Sequence, residues 1–186
     1  MVAPVGTNFK NLSVILKCEK LPGSVKWDGG DGYKKGIPLI MFPEIAMESP
    51  VQPYNTASYG VASVSKAPIV VYIGLDKTIV NAFPLVVKGT NIGQVDIELL
   101  GYTGSGPDMV SLRKFSLIDT IIVGYYPVFD TRLHRIAQME GHVTPFILQL
   151  TLECAGTTNT LTAFGPDMSQ TGQTTNGFSM INMAST

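Results

Sequence analysis

Charged residues are scarce in this 186-residue sequence: Asp, Glu, Lys and Arg together make up 15%, against about 25% in an average soluble domain. A lone domain of this size needs surface charge to stay dispersed. The shortage implies that part of the surface is covered by partners, unless the many Thr, Ser, Asn and Gly residues solvate it. Net charge is −1, and both signs are spread along the chain. No basic run resembles a nucleic-acid or anionic-membrane footprint, so neither partner is expected. No stretch of about 18 apolar residues occurs, which excludes a membrane-spanning helix. The first residues, MVAPVGTNFKNLSVILKCEK, lack the basic region and following apolar core of a secretory signal. If the protein leaves the cell, a dedicated machine is expected to export it.

The residues that carry chemistry are equally few. Cys18 and Cys154 each sit in an alternating apolar pattern and read as buried free thiols. A disulfide between them requires neighbouring strands, which the sequence leaves open. Two cysteines so far apart do not make a zinc site. His134 and His142 match no ligand spacing such as HExxH. With Asp130 and Glu140 nearby they read as solvated loop residues. No G-x-S-x-G elbow is present. The run Asp28-Gly29-Gly30-Asp31-Gly32 reads as a turn, since the spacing of a calcium loop is missing. Gly101–Gly106 (GYTGSG) is not followed by Lys-Ser/Thr and reads as a hairpin turn. No catalytic, cofactor-binding or metal-binding residue is assigned, and no enzyme is expected.

What is present is alternation with a period of two, the mark of half-buried strands. It runs through Leu12–Cys18, Gln94–Leu100 and Val143–Cys154, while Ala67–Ile73 reads as a β-branched strand and Met109–Val123 as a long strand. Pro38–Met47 is another apolar segment, with Pro43 implying an edge or a break. Asp76–Lys88 is the one helix expected, ending at Gly89, and Pro84 inside it predicts a short or broken helix. Glu48–Lys66 is polar, carries two prolines and reads as a long extended loop that contacts a partner. Asp130–His142 is the most charged stretch and reads as a loop. Both faces of Met109–Val123 are apolar, as when one packs a core and the other meets a neighbour.

The expected fold is mostly β: a small barrel or sandwich of two packed antiparallel sheets, with one short helix and a long extended loop. Residues 1–156 form the domain. Residues 157–186 form a Thr/Gly-rich extension, read either as short edge strands or as a tail that orders on assembly. Trp27, Tyr33, Tyr54 and Tyr59 lie in or near loops. Such aromatics suit a carbohydrate-binding β-sandwich or an interface between proteins.

From Ala67 onward the order of elements resembles the tube protein of bacterial type VI secretion, the haemolysin-coregulated protein family. The strand ending Val71-Tyr72-Ile73 leads into Asp76-Lys77-Thr78 and the helix, which ends at Lys88-Gly89. Gln94–Leu100 and its glycine turn follow, then Met109–Tyr125 as the long strand and Val143–Cys154 as the late core strand. The resemblance covers roughly Leu12–Gly156. It implies a β-barrel subunit that assembles with itself into six-membered rings, stacked as a tube that delivers effectors. Sheath, spike and effector proteins are the implied partners, with the bacterial cytoplasm as the site of assembly. A related contractile-tail tube protein, or a viral or phage coat protein, has similar architecture. Mapped onto this sequence, Val51, Pro53, Tyr54, Tyr59 and Val61 would contact the next ring. Val110, Leu112, Ile118 and Ile122 would form the lateral contact within a ring.

Overall fold

The computed structural model describes residues 10–23, 36–45, 47–48, 65–74, 79–102, 109–139, 147–165 and 169–179. The elements are β1 (Lys10–Cys18), β2 (Ile37–Leu39), β3 (Met47–Glu48), β4 (Ser65–Lys66), β5 (Ile69–Gly74) and α1 (Ile79–Val87), then β6 (Asn91–Tyr102), β7 (Met109–Val128), α2 (Thr131–Met139), β8 (Ile147–Phe164) and β9 (Gln170–Ser179).

One antiparallel sheet dominates, with strand order β5-β2-β1-β6-β7-β8-β9. The first half of β8 also pairs with β5, from Ile69↔Leu152 to Gly74↔Ile147. Six strands therefore close into a ring, which leaves their edges paired and enclosed. The inward side chains include Leu16, Val71, Ile73, Ile97, Leu117, Ile122, Leu150 and Leu152, all buried in one cluster. Leu148, Leu150, Leu152 and Cys154 face it together, as the alternation in Val143–Cys154 requires. The architecture is thus one closed sheet in place of two packed ones, and the described residues carry two helices in place of one.

Helix α2 corrects the expected charged loop. Asp130 is its N-cap: Arg132 N–H and Leu133 N–H donate to Oδ1 at 2.7 and 3.4 Å, satisfying donors that a helix start leaves unpaired. Leu133 and Ala137, four residues apart, pack against Ile40 and Ile147 outside the ring. The remaining positions carry the charge that made the segment look like a loop.

Helix α1 keeps Pro84 in its interior. Without an amide hydrogen, Pro84 cannot bond the carbonyl of Val80, so the helix loses one internal bond. It ends where the sequence predicts. Gly89 N–H bonds the Val86 carbonyl at 3.0 Å and Thr90 N–H the Leu85 carbonyl at 3.0 Å, while Gly89 adopts φ +56. This pair of bonds around a left-handed glycine terminates the helix.

Strand β8 runs through Gly156 to Phe164, so the expected boundary at residue 157 falls inside a strand. Its second half pairs with β9 from Gly156↔Ser179 to Phe164↔Gln170. Cys18 and Cys154 are buried thiols that form no disulfide with each other, as the alternation predicts. Burial raises the Cys18 pKa above the ordinary value, against smaller opposing hydrogen bonds from the Leu21 and Lys20 backbones.

Candidate functional site

The charges on the outer wall of the ring are largely satisfied within the chain. Lys17 Nζ lies 2.9 Å from Glu98 Oε1, and Lys114 Nζ 2.8 Å from Asp96 Oδ2. Register explains the two pairs: Lys17 stands opposite Asp96 on β1–β6, and Lys114 opposite Glu98 on β6–β7. The four side chains therefore share one face. Burial alone would raise the Asp96 pKa. Hydrogen bonds from Lys114, Ser116 and Gln94, with the Lys114 charge, outweigh it and hold the carboxyl below its ordinary value of 3.8. The sign follows from linkage. A carboxyl with a depressed folded pKa stabilises the fold above its unfolded pKa, and that contribution is lost as pH falls through the lower folded value. Asp96→Asn should therefore flatten the loss of urea resistance on acidification below about pH 4. Equal slopes in the two proteins, measured by urea unfolding across that window, would contradict the assignment.

Beside these paired charges, the surface carries two uncharged features suited to a partner. Strand β9 is one such feature. Its ten residues, QTGQTTNGFS, include no charged side chain. Residues 171–177 are exposed throughout. One side of β9 pairs with β8, and among the described strands none pairs with the other side. An open edge of this length, unprotected by charge or proline, is a template for pairing with another chain.

The second feature is on α1. Val80, Phe83 and Val87 are 73%, 55% and 70% exposed, at spacings of three and four residues. They make an apolar stripe on the side of the helix away from Ala82, Leu85 and Val86, which pack on the core. The helix is apolar nearly all round, the pattern of an element covered on both sides. Phe83 meets Tyr125 of β7 edge-on, with ring centroids 5.5 Å apart. Sequence reasoning did not assign this stripe. The signal was there in the i, i+3, i+7 placement of Val80, Phe83 and Val87, once the helix was accepted despite Pro84.

The residues expected to contact the next ring, Val51, Pro53, Tyr54, Tyr59 and Val61, lie outside the described residues, as do Trp27, Tyr33, Asp28, Asp31, Glu140 and His142. The base of the long segment is described. Met47 pairs with Lys66 and Glu48 with Ser65, so the chain leaves and returns at one point.

The four expected lateral residues do not share a surface. Ile118 is exposed and Val110 half-buried, but Leu112 is buried and Ile122, 2% exposed, belongs to the core. Ile122 thus points into the ring, and the backbone gives the reason. Between Val95↔Leu117 and Gly93↔Thr120, β6 advances two residues while β7 advances three. The extra residue is a bulge, and Asp119 within it has φ 50. The inward set passes from Phe115 and Leu117 to Thr120 and Ile122, which reverses the parity.

Among the described residues no group of three His, Cys, Asp or Glu side chains comes together to hold a metal ion. His134 belongs to α2, its Nδ1 2.8 Å from the Asp130 carbonyl. Among the described residues no helix is long and apolar enough to cross a membrane.

No protein-family profile matches the chain, and no curated protein sequence does. Solved structures do match. A structure of a type six secretion system protein superposes with TM-score 0.72 at 14% identity, covering 94% of this chain and 98% of that one. Hcp1 from Salmonella typhimurium gives TM-score 0.64 at 14% identity, covering 93% and 97%. A type VI secretion system effector from Yersinia pestis gives 0.62 at 10% identity, covering 89% and 98%. At such identities the likeness is one of fold. The chain has the fold that its element order resembles, that of type VI secretion proteins of the Hcp kind. A match over 94% of the chain reaches beyond residue 156, so part of the expected extension belongs to that fold.

Proposed function

We propose that this chain is a structural subunit, without bond-making chemistry, that assembles with copies of itself into stacked rings. The rings would form the inner tube of a type VI secretion or related contractile injection system. The observation that carries the reading is the shared fold over nearly the whole length of both chains. The uncharged edge of β9, the apolar stripe on α1 and the low overall charge support it, because each is a surface better covered than left in water. Rings of six, sheath, spike and effector partners, assembly in the bacterial cytoplasm and export through the machine itself belong to the same proposal.

Cohesion in such a tube is mechanical: strand pairing and apolar burial across a repeated interface, with heterologous contacts that close into rings. The segment between β3 and β4 is assigned to contacts between rings. Electron microscopy of the purified protein should show rings and short stacks. Deleting residues 51–61 should leave single rings and remove most stacks. Dispersed subunits of 20.0 kDa at every concentration would overturn the reading. Closed shells would point to a coat protein, and Trp27-dependent glycan binding to a carbohydrate module. Normal stacking by the deletion variant would overturn the assignment of the segment alone.

A further inference from the structure

A cavity of about 280 Å³ opens where β7, β8 and β9 run side by side, next to Ile45. Strand register builds its wall. Phe115 of β7 stands opposite Asn159 of β8, which stands opposite Asn176 of β9. Cross-strand partners project to the same face, so an aromatic ring and two carboxamides form one row. Thr157 lines the same cavity two positions along β8.

Arg113 supplies the charge. Its guanidinium carbon lies 4.6 Å from the centre of the Phe115 ring and 6.0 Å from that of Phe42. Its Nε donates to Asn159 Oδ1 at 3.2 Å. Stacking and this bond hold the planar group in one place, and among the described residues no hydrogen bond occupies its two terminal nitrogens. Among the described residues no carboxylate pairs with Arg113, whereas Lys17 and Lys114 are each matched to an acid. The Asn159 oxygen is occupied by Arg113, so its amide nitrogen is left as a donor. Thr157 is 1% exposed, and its hydroxyl is buried with no hydrogen-bond partner. Buried polar groups are nearly always satisfied, and an exception calls for an explanation.

The cavity is thus lined by a fixed cation and carboxamide donors, next to a buried unmatched hydroxyl, with no acid among its described lining residues, beside the apolar surfaces of Ile45 and Phe115. It is smaller than the roughly 300–1,000 Å³ of pockets for drug-sized ligands. An Arg fork with neighbouring amide donors matches a carboxylate. We propose that this cavity is a binding site for a small monocarboxylate with an apolar body, its carboxylate on Arg113 and the Asn159 and Asn176 amides, and its body against Phe115 and Ile45. The carboxylate can come from a free acid or from the C-terminus of a polypeptide. The site is independent of whether the chain forms tubes.

The test is an NMR titration of the full chain at constant ionic strength, following the side-chain amides of Asn159 and Asn176. The probes are benzoate, its neutral isostere benzamide, and acetyl-Ala-Ala-Phe with a free or amidated C-terminus. Benzoate should bind saturably and at least tenfold more tightly than benzamide. Arg113→Gln should remove that preference. Asn176→Ala provides a second variant: Asn176 is exposed at the cavity, so the free protein should keep its stability, yet should bind benzoate several-fold more weakly. Binding of benzoate alone assigns the site to free acids, and binding of the free-acid peptide alone assigns it to chain termini; either supports the proposal. No preference for the charged member of either pair, or unchanged benzoate affinity in Asn176→Ala, would overturn it.

Discussion

Replacing Lys17 with Met should lower the unfolding free energy by about 3 kcal/mol, among the largest effects of any single change at the surface of this protein. The cause is the partner left behind. Glu98 is 5% exposed, and its carboxylate is 2.9 Å from the Lys17 ammonium. Without that cation, the carboxylate is held away from water without its direct partner, a loss worth about 3–5 kcal/mol. The lower end is expected because Lys114 stands opposite Glu98 in the β6–β7 register and softens the deficit, although it is engaged with Asp96 at 2.8 Å. The double variant Lys17→Met, Glu98→Leu separates the charge effect from packing. Replacing both partners with apolar groups removes the unpaired charge, so most of the lost stability should return. Urea unfolding of the four proteins, at one protein concentration so that self-association does not enter, completes the cycle. If the double variant is as unstable as Lys17→Met, the loss comes from packing of the Lys17 stem and not from charge.

The adjacent pair Ile122 and Val123 should respond in opposite ways to truncation. Ile122→Ala should cost about 2–5 kcal/mol, the range for emptying a filled core position. Val123→Ala should cost no more than about 0.5 kcal/mol, as for a surface change. Ile122 is 2% exposed within the main core cluster, and Val123 is 41% exposed. The contrast measures the bulge directly. An unbroken alternation from Phe115 and Leu117 would place Val123 inside and Ile122 outside. Denaturant midpoints for both variants decide it, and a larger loss for Val123→Ala would mean that the strand keeps its parity through Asp119.

These two predictions mark where reading the chain succeeds and where it stops. Leu148, Leu150, Leu152 and Cys154 lie on one face because a strand has no other way to place alternate residues, and all four are buried together. Lys88 and Gly89 mark a helix end because a left-handed residue there costs least as glycine, and Gly89 has φ +56. Helix α2 was hidden by its charge, although Asp130 ahead of Leu133 and Ala137 was a readable cap and apolar pair. The carboxylate cavity was not legible at all. Arg113, Asn159 and Asn176 are brought together by two strand pairings whose registers are long-range.

Local chemistry along the chain therefore settled the β class, the position of the α1 end and the shortage of charge that points to covered surface. These depend on a few neighbouring residues each, and near neighbours are all that a pattern contains. Closure of six strands into a ring, the bulge that turns Ile122 inward, the exposed stripe of α1 and the free edge of β9 were decided by pairing between distant segments. Register slips by one residue exchange the faces of a strand. Ile122 lies in the core for that reason, apart from the lateral surface expected with Val110, Leu112 and Ile118.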